Sequence, residues 1–325
     1  MLPRVAETRH EGYVQCRVDA RPASKGGSVA FPQTGIFALG NLAHSYLEFD
    51  LVEGADAAAL ASAVADLSEP RTTMGGVNLV SGFRPELWAS VAASRMPREL
   101  RGFLSPVVGA DGYTMPATQH DVVLWIAGGS YDVVFDAAIA VVAALNGPAV
   151  LVEEVVSWSY HRDLDLTGFI DGTENPSLSQ APQRVLVPEG EPGAGGSVLL
   201  LQKWVHDAAA WAALSIASQE RVIGRTKPDS VELPDRPTSS HVARTDQDEF
   251  GHIFRRNTPY GSVREHGTMF VGFSASQPAL AAMLDSMAGV TGARDELTRY
   301  TTPLTGAYYF VPSLDDVASL SSEGH

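Results

Sequence analysis

The chain has 325 residues, 45% of them hydrophobic, so it is long enough for one large domain, or for two of about 150 residues, with a substantial core. Its formal net charge of −15 argues against nucleic acid and anionic membrane surfaces as partners. The single cysteine, Cys16, excludes an intrachain disulfide, a cysteine-ligated zinc site and an iron–sulfur cluster.

The first half of the chain alternates predicted strands and helices. Residues 1–35 are polar at first and are predicted to form an N-terminal arm, with order beginning at Ile36. Residues 45–51 alternate apolar and polar side chains, which predicts a strand buried on one face only. Further strands are predicted at 76–82, 122–126 and 150–160, and helices at 56–67, 85–93 and from the cap Ser130 to Leu145.

The second half repeats this pattern. Residues 197–205, 241–244, 252–256, 268–274 and 307–310 are predicted strands, and residues 208–225 and 278–288 are predicted helices. In both halves a strand passes through a turn of small residues into an amphipathic helix, which indicates duplication of one unit. We therefore predict an α+β fold of tandem ferredoxin-like domains with antiparallel sheets. The predicted limits are an arm at 1–35, domains at 36–162 and 163–314, and a short tail at 315–325.

Residues 167–177 read Thr-Gly-Phe-Ile-Asp-Gly-Thr-Glu-Asn-Pro-Ser. The segment holds two acids, Asp171 and Glu174, and its glycines, Gly168 and Gly172, bracket the Phe-Ile-Asp triplet. Such glycines indicate a backbone that turns sharply or approaches another group closely. By composition alone, a surface turn between two strands explains this segment.

The string GFIDGTENP resembles the GFxDGxxNP signature of the dye-decolorizing haem peroxidases. The resemblance extends over residues 36–314 and is greatest to the B class of that family. It implies that Asp171 lies over a haem on the peroxide side. It also implies that Gly172, Thr173 and Glu174 lie beside the cofactor, in the C-terminal half.

None of the nine histidines belongs to a common zinc-binding motif. His241 lies in PTSSHVART, and a histidine that opens a strand is usually a polar edge residue. The SHVAR string resembles the family segment around the proximal histidine, which implies that His241 is the axial ligand of the haem iron. Such a ligand normally donates its other N–H to a carboxylate or carbonyl. Asp285 is a candidate for that partner, and a solvated helix face is the alternative.

Residues 252–261 read His-Ile-Phe-Arg-Arg-Asn-Thr-Pro-Tyr-Gly. On a strand, Arg255 and Asn257 lie on one face and Arg256 on the other. The family's B class has an Arg-x-Asn here, which implies that Arg255 and Asn257 join Asp171 above the haem, with Arg255 also touching the cofactor. By the same resemblance Phe270 packs over the distal haem face. Surface charge for the arginines and ordinary core for Phe270 are the alternatives.

The resemblance implies a peroxidase that binds one haem b per chain and reduces hydrogen peroxide through a ferryl intermediate. Dyes, phenolic compounds and other bulky molecules are the implied reductants. The implied roles are proton shuttle for Asp171, electrostatic stabiliser for Arg255, and positioning of water or peroxide for Asn257. A carboxylate base works best in mildly acidic solution, so an acidic activity optimum is expected.

Two other functions remain open on the sequence. One is a haem-handling protein that stores haem or releases its iron, with incidental peroxidase activity. The other is a haem-free ferredoxin-like binding module. The first residues lack an apolar signal segment, which predicts a cytoplasmic protein. We expect a homo-oligomer by base rate, and neither nucleic acid nor membrane as a partner. The ending SLDDVASLSSEGH has no repeated apolar anchor, so docking into an encapsulating shell is not predicted.

Overall fold

The structure of the chain, a computed structural model, describes residues 30–67, 71–72, 75–162 and 164–321. Residues 1–29 of the predicted arm and residues 322–325 of the predicted tail lie outside these ranges. The strands are β1 (Ala43–Leu51), β2 (Arg71–Thr72), β3 (Gly75–Phe83), β4 (Val107–Val108), β5 (Thr114–Met115), β6 (Val122–Gly128), β7 (Ala149–Trp158), β8 (Ser197–His206), β9 (Phe254–Gly261), β10 (His266–Ser274), β11 (Thr301–Pro303) and β12 (Ala307–Val311).

The α-helices of the described ranges are α1 (Ala57–Ala65), α2 (Pro85–Ala92), α3 (Tyr131–Leu145), α4 (Ala181–Val185), α5 (Ala208–Ala212), α6 (Ile216–Ile223), α7 (His241–Arg244), α8 (Gln247–Phe250), α9 (Gln277–Ala288) and α10 (Leu314–Ala318). Short 3₁₀ helices occur at Thr34–Ile36, Ala93–Arg95, Ala110–Gly112 and Glu296–Arg299. In the part of the chain that the structure covers, no helix has both the length and the apolar character to cross a bilayer.

Each half of the chain builds one four-stranded antiparallel sheet. The N-terminal sheet has the order β7-β1-β6-β3, and the C-terminal sheet has the order β12-β8-β10-β9. Numbered along the chain within each half, both orders read 4-1-3-2, which is the ferredoxin-like arrangement. The predicted α+β fold with two ferredoxin-like units is therefore confirmed.

The two sheets face each other and join at both edges, so the main strands close into a barrel-like ring. One joint is the pair Ser157 and Tyr260, between β7 and β9, and the other is Phe83 and Phe310, between β3 and β12. Buried aromatic and aliphatic side chains fill the space between the sheets, among them Tyr46, Trp125, Leu199, Leu201, Val271, Phe273 and Tyr309.

Gln33 strengthens the joint between β3 and β12, where the ladder has a single pair. Its Nε2 donates to Ser81 O at 2.9 Å and to Pro312 O at 3.0 Å, and its Oε1 accepts from Ser81 N at 2.7 Å. Because the side chain is buried and uses both ends of its amide, residues just before Ile36 already belong to the folded body. The predicted arm is therefore too long at its C-terminal end.

The sequence predicts that the strand at residues 45–51 has one buried face and one solvent-exposed face, and this prediction is wrong. Tyr46 and Glu48 are as buried as Leu47 and Phe49. One face of β1 packs against α1 and α3, and the other faces the C-terminal sheet across the inter-sheet core. Glu48 is accommodated there because the Tyr309 hydroxyl donates to its Oε1. A strand between two covered faces needs no alternation of polarity.

The single helix predicted at residues 208–225 is also wrong, since two helices occupy this segment. α5 ends at Ala212, and α6 begins at Ile216 after the cap Ser215, whose Oγ accepts from Ser218 N at 3.1 Å. Ser215 has extended backbone angles, φ −64° and ψ 154°, so it cannot continue the helix.

Candidate functional site

A cavity lies against the outer face of the C-terminal sheet, between β8, β9 and β10 and the helices α6, α7 and α9. Its empty volume, including the space at its mouth, is ≈ 1110 Å³. Most of its wall is apolar, formed by Phe169, Ile170, Leu200, Trp204, Ile223, Val242, Ile253, Phe270, Leu280, Met283, Leu284, Met287 and Leu297.

The segment that carries the predicted signature is a tight loop fastened to β9. Gly168 and Gly172 have φ of +82° and +71°, a backbone region that favours glycine. Asn175 clamps the loop, because its Nδ2 donates to Arg255 O at 2.8 Å and its Oδ1 accepts from Arg255 N at 2.9 Å. A Cβ on Gly172 would approach that amide nitrogen to 2.6 Å. The Gly and Asn of the signature are thus required by the fold of the loop.

The loop delivers the Asp171 carboxylate into the cavity beside β9. Asp171 Oδ2 accepts from Asn257 N at 3.0 Å, and Oδ1 accepts from Asn257 Nδ2 at 2.8 Å. Arg255 Nε lies 3.3 Å from Oδ1, so a cation completes the set. Asp171, Arg255 and Asn257, which the sequence predicts together, are therefore in contact.

The alternation predicted for β9 is observed. Arg255 and Asn257 both line the cavity, whereas Arg256 points to the other side of the sheet. There the Arg256 guanidinium lies 4.5 Å from the centre of the Trp125 ring, and its Nη1 donates to Gly35 O at 3.0 Å. Burial lowers the pKa of Arg256 to about 10. Arg256 is thus a buried part of the inter-sheet core and not a surface charge.

His241 enters the cavity from a different element. Its Nδ1 lies 2.6 Å from Oδ2 of Asp295, which is fully buried. An ionised carboxylate offers only acceptors, so Nδ1 donates the hydrogen and Nε2 is left as the nitrogen with a free lone pair. A carboxylate partner that orients the ring and makes it more basic is typical of metal-binding histidines.

Two predictions about His241 are wrong. Residues 241–244 form the helical turn α7 and not a strand, because Ser240 adopts the extended geometry of an N-cap and the chain turns helical after it. The carboxylate partner is Asp295 and not Asp285. Asp285 lies on α9 next to Met283 and Leu284, but a rotation of about 100° per residue turns its side chain away from the cavity that those two residues line.

Of the other predicted cofactor contacts, Thr173 and Phe270 line the cavity, while Gly172 and Glu174 do not. Glu174 accepts a charged hydrogen bond from Arg225 Nη2 at 2.6 Å, and Arg225 is itself a lining residue. Glu174 thus positions an arginine of the wall instead of facing the cavity.

The cavity wall contains buried polar atoms without hydrogen-bond partners among the described residues. They are Gln202 Nε2, Arg225 Nε, Ser230 Oγ, Arg255 Nε and Asn257 Oδ1. Such atoms are costly to bury unless a bound molecule satisfies them. A mostly apolar cavity with a buttressed histidine and scattered unpaired polar groups fits a large, flat, mostly apolar cofactor that carries a metal and polar substituents.

Several lining residues were not predicted from the sequence. Asp165 shares the Asp171 loop, Arg225 and Ser230 follow α6, and His206 ends β8. Burial lowers the pKa of His206 to about 4, with the nearby His266 acting in the same direction. For Asp165 the signal was weak, since it precedes Asp171 by six residues but lies just outside the signature segment 167–177. For Asp295 there was none, because 54 residues separate it from His241.

A comparison with known protein families matches residues 162–316 to the family described as Dyp-type peroxidase, C-terminal. This range contains every residue that lines the cavity. The dye-decolorizing peroxidase of Rhodococcus erythropolis is 35% identical over 287 residues, which cover 83% of this chain and 83% of that protein. The dye-decolorizing peroxidase of Mycobacterium tuberculosis is 35% identical over 250 residues, 74% of each chain.

Solved structures agree with these relatives. A DypB variant from Rhodococcus jostii RHA1 in complex with heme superposes with a TM-score of 0.82 at 33% identity, covering 89% of this chain and 99% of that one. The dye-decolorizing protein from V. cholerae gives a TM-score of 0.80 at 34% identity, covering 88% and 99%. The class of protein is therefore a peroxidase, an oxidoreductase. The chain belongs to the dye-decolorizing peroxidase family, as its sequence predicts.

Proposed function

We propose that the chain is a haem-dependent peroxidase that reduces hydrogen peroxide at the cavity on its C-terminal sheet. The observation that carries this proposal is the convergence of two preorganised groups on one apolar cavity. One is His241 held by Asp295, and the other is Asp171 held by Asn257 and Arg255. Dyes, phenolic compounds and other bulky molecules are the proposed reductants.

Haem b, one per chain, is the proposed cofactor, and when bound it supplies the iron at which peroxide reacts. His241 Nε2 would bind the iron, because Nδ1 is committed to Asp295. Phe270 and the aliphatic wall would enclose the ring and exclude water. Thr173, Arg225 and Ser230 would offer hydrogen bonds to its polar substituents, with Gly172 and Glu174 supporting them.

Asp171 is the group that we propose to move the proton of the peroxide. A carboxylate accepts a proton from one peroxide oxygen and can deliver it to the other when it is held within reach of both. The two bonds from Asn257 fix the orientation of the carboxylate. Arg255 would stabilise the negative charge that develops as the O–O bond breaks, since its Nε is buried and without a hydrogen-bond partner among the described residues.

The absorption spectrum of the reconstituted protein tests this proposal. We expect a strong Soret band in the parent, and an altered or lost band in His241→Ala. The matched control is His206→Ala, which removes the other lining histidine and should leave the band unchanged. No Soret band in any of the three proteins would exclude a haem function. If the band were lost only in His206→Ala, His206 and not His241 would be the residue that binds the iron.

A haem-handling protein remains the second candidate, but the site favours it less. Storage or release of haem needs His241 and has no use for a carboxylate positioned by Asn257 and Arg255. Comparing wild-type turnover with peroxide against the rate of iron release separates the two functions. Peroxide-driven oxidation of a phenol at many turnovers per haem supports the enzyme, whereas one turnover with loss of iron supports haem handling.

We also propose a homo-oligomer, which is supported by an exposed apolar patch on the N-terminal unit. Tyr131, Phe135 and Ile139 follow one face of α3, and Val150 and Val152 extend the patch onto β7, all at least 41% exposed. A two-fold interface uses the same surface patch on both subunits, so this apolar patch would pack against its own copy. Light scattering should give a multiple of the chain mass for the parent, and a lower mass for Ile139→Glu than for Val263→Glu on the β9–β10 turn.

For location we propose the cytoplasm, on the sequence features given above. Fractionation of cells that produce the untagged chain tests this directly. Recovery of the protein outside the cytoplasmic fraction would contradict it.

A further inference from the structure

Two carboxyl groups, and not one, enter the cavity from the signature loop. Asp165 and Asp171 both line it, at either side of a narrow turn. The turn is closed by the bridge between Leu164 and Ile170 and by the bond from Asp165 N to Phe169 O at 3.0 Å. The proposed function uses only Asp171 of the two, and it gives Asp165 no role.

The two carboxyl groups have different partners. Asp171 uses both oxygens on Asn257 and lies beside Arg255. Asp165 uses one oxygen, Oδ1, which accepts from Thr167 N at 2.8 Å and from Thr167 Oγ1. Within the described part of the chain, Oδ2 of Asp165 has no hydrogen-bond donor. Asp171 thus accepts two hydrogen bonds and lies beside a cation, whereas Asp165 keeps one oxygen free to carry a proton.

We propose that Asp165 is a positioning residue that acts through Asp171, by holding a proton on Oδ2 and passing it by way of Asp171 to an oxygen that leaves as water, so that Asp171 is a carboxylate again before the next peroxide binds. This inference rests on the proposed peroxidase function. Reduction of one hydrogen peroxide to two water molecules consumes two protons and two electrons. The reductant supplies the electrons, and the site must be resupplied with the protons. Asp165 is regenerated by taking a proton from solvent.

The charges around Asp165 agree with this division of roles. Burial raises the pKa of the Asp165 carboxyl, and the negative charge of Asp171 acts in the same direction. The bonds from Thr167 and the positive charge of Arg255 oppose the rise without cancelling it. On the remaining walls the titratable or charged groups are Arg225, His206 and His241, and Lys227 packs against Gly168 on the loop itself. A carboxyl with a raised pKa keeps its proton to higher pH and is suited to serve as an acid.

A purely structural role for Asp165 makes a different prediction. The bonds from Thr167 form a local Asx-type turn, and an asparagine at this position accepts the same bonds. Asp165→Asn therefore preserves the turn and removes only the titratable proton. Asp56→Asn is the matched control, because Asp56 accepts a similar bond from Ala58 N at 3.0 Å at the start of α1, on the N-terminal unit.

The test uses the haem-loaded parent and both variants, with two measurements across pH 4–9, a range that brackets ordinary and raised carboxyl pKa values. Infrared difference titration follows the C=O stretch of protonated carboxyl groups, and steady-state kinetics follow kcat. We expect a titrating carboxyl band that is missing in Asp165→Asn and present in Asp56→Asn. We also expect kcat of the parent to fall with rising pH as Asp165 loses its proton. In Asp165→Asn this fall should be absent from the pH profile, and kcat should be lower about 10–100-fold.

Thr167→Val supplies a second test that keeps Asp165 in place. Losing the hydroxyl that favours the ionised form should move both the infrared band and the kcat limb to higher pH. Identical bands and kcat profiles in the parent, Asp165→Asn and Thr167→Val would overturn the inference. If peroxide reacts in none of the proteins, or no haem is bound, the proposed function itself fails. If peroxide reacts normally but the pH profiles of kcat are the same in all variants, the proposed peroxidase function stands and only the role of Asp165 is refuted.

Discussion

The two halves of the molecule share one strand order, but their outer faces carry different pockets. The cavity of the C-terminal half holds His241 and several polar groups, whereas the pocket of the N-terminal half, between α3 and the strands β1 and β7, is lined mostly by apolar side chains. On the N-terminal sheet, Leu47, Leu124 and Ile126 meet α1 and α3 directly, and Leu60 and Val134 seal the contact. On the C-terminal sheet the equivalent outer positions include Gln202, Asn257 and Thr268, which line the cavity. The same framework therefore carries an apolar outer face in one half and the proposed cofactor site in the other.

The difference arises in the connections and not in the strands. In the N-terminal half, single helices join the paired strands and cover the sheet. In the C-terminal half, the connection from β8 to β9 runs through α5, α6, α7 and α8 and holds His241 away from the sheet. α9 adds Met283 and Leu284 as wall residues. A ferredoxin-like sheet thus becomes a binding site when one crossover is lengthened enough to form a wall.

The largest effect that we predict concerns the polar face of β9. Arg255→Leu should slow the reaction with peroxide about 10³-fold, because a buried cation beside the developing charge is lost. Asp171→Ala should slow it about 10²-fold, since proton transfer can pass to water. Rapid-mixing rates provide the measurement, with Arg264→Leu on the exposed β9–β10 turn as control. Equal rates for Arg255→Leu and the parent would refute the role of Arg255.

The packed and the open outer faces should differ in their response to truncation. Leu60→Ala should lower the free energy of unfolding of the haem-free protein by about 2–5 kcal/mol, because Leu60 is fully enclosed. Leu284→Ala, at an equally buried position that borders the cavity, should cost less than half as much, since fewer contacts are lost. Denaturant unfolding measures both. An equal loss would show that the cavity collapses when the cofactor is absent.

A smaller effect concerns the carboxylate that supports His241. Asp295→Asn should accelerate haem loss to an acceptor protein about 10–100-fold, because the ligand ring loses its orienting partner. Asp285→Asn is the matched control and should release haem at the parental rate. If the two variants exchanged these outcomes, Asp285 would be the partner after all.

The smallest effect lies in the core between the two sheets. Burial raises the pKa of Glu48, opposed by the bond from Tyr309. A raised pKa in the folded state stabilises the fold fully below the unfolded pKa, and this contribution is lost as pH rises through the folded value. Glu48→Gln should therefore raise Tm by a few degrees at pH 7 and have little effect near pH 4. The exposed Glu154→Gln should show no such pH-dependent gain.

Much of the site could be predicted because its parts are local. The signature loop depends on Gly168, Gly172 and Asn175, whose backbone and clamp geometry require those residue types. The side of β9 that bears Arg255 and Asn257 follows from the two-residue period of a strand. The roles of these residues in catalysis remain predictions, as do the domain limits near residue 162.

Local periodicity and one long motif are sufficient to predict the α+β class, the duplicated strand pattern and the family. That β1 is covered on both faces follows only from the folded chain, because the second sheet that covers it lies far along the sequence. The contact between Asp295 and His241, which are 54 residues apart, is likewise seen only in the folded chain. The same is true of Asp165 Oδ2, which has no hydrogen-bond donor among the described residues. Contacts of this kind depend on how long connections pack, and no local pattern records them.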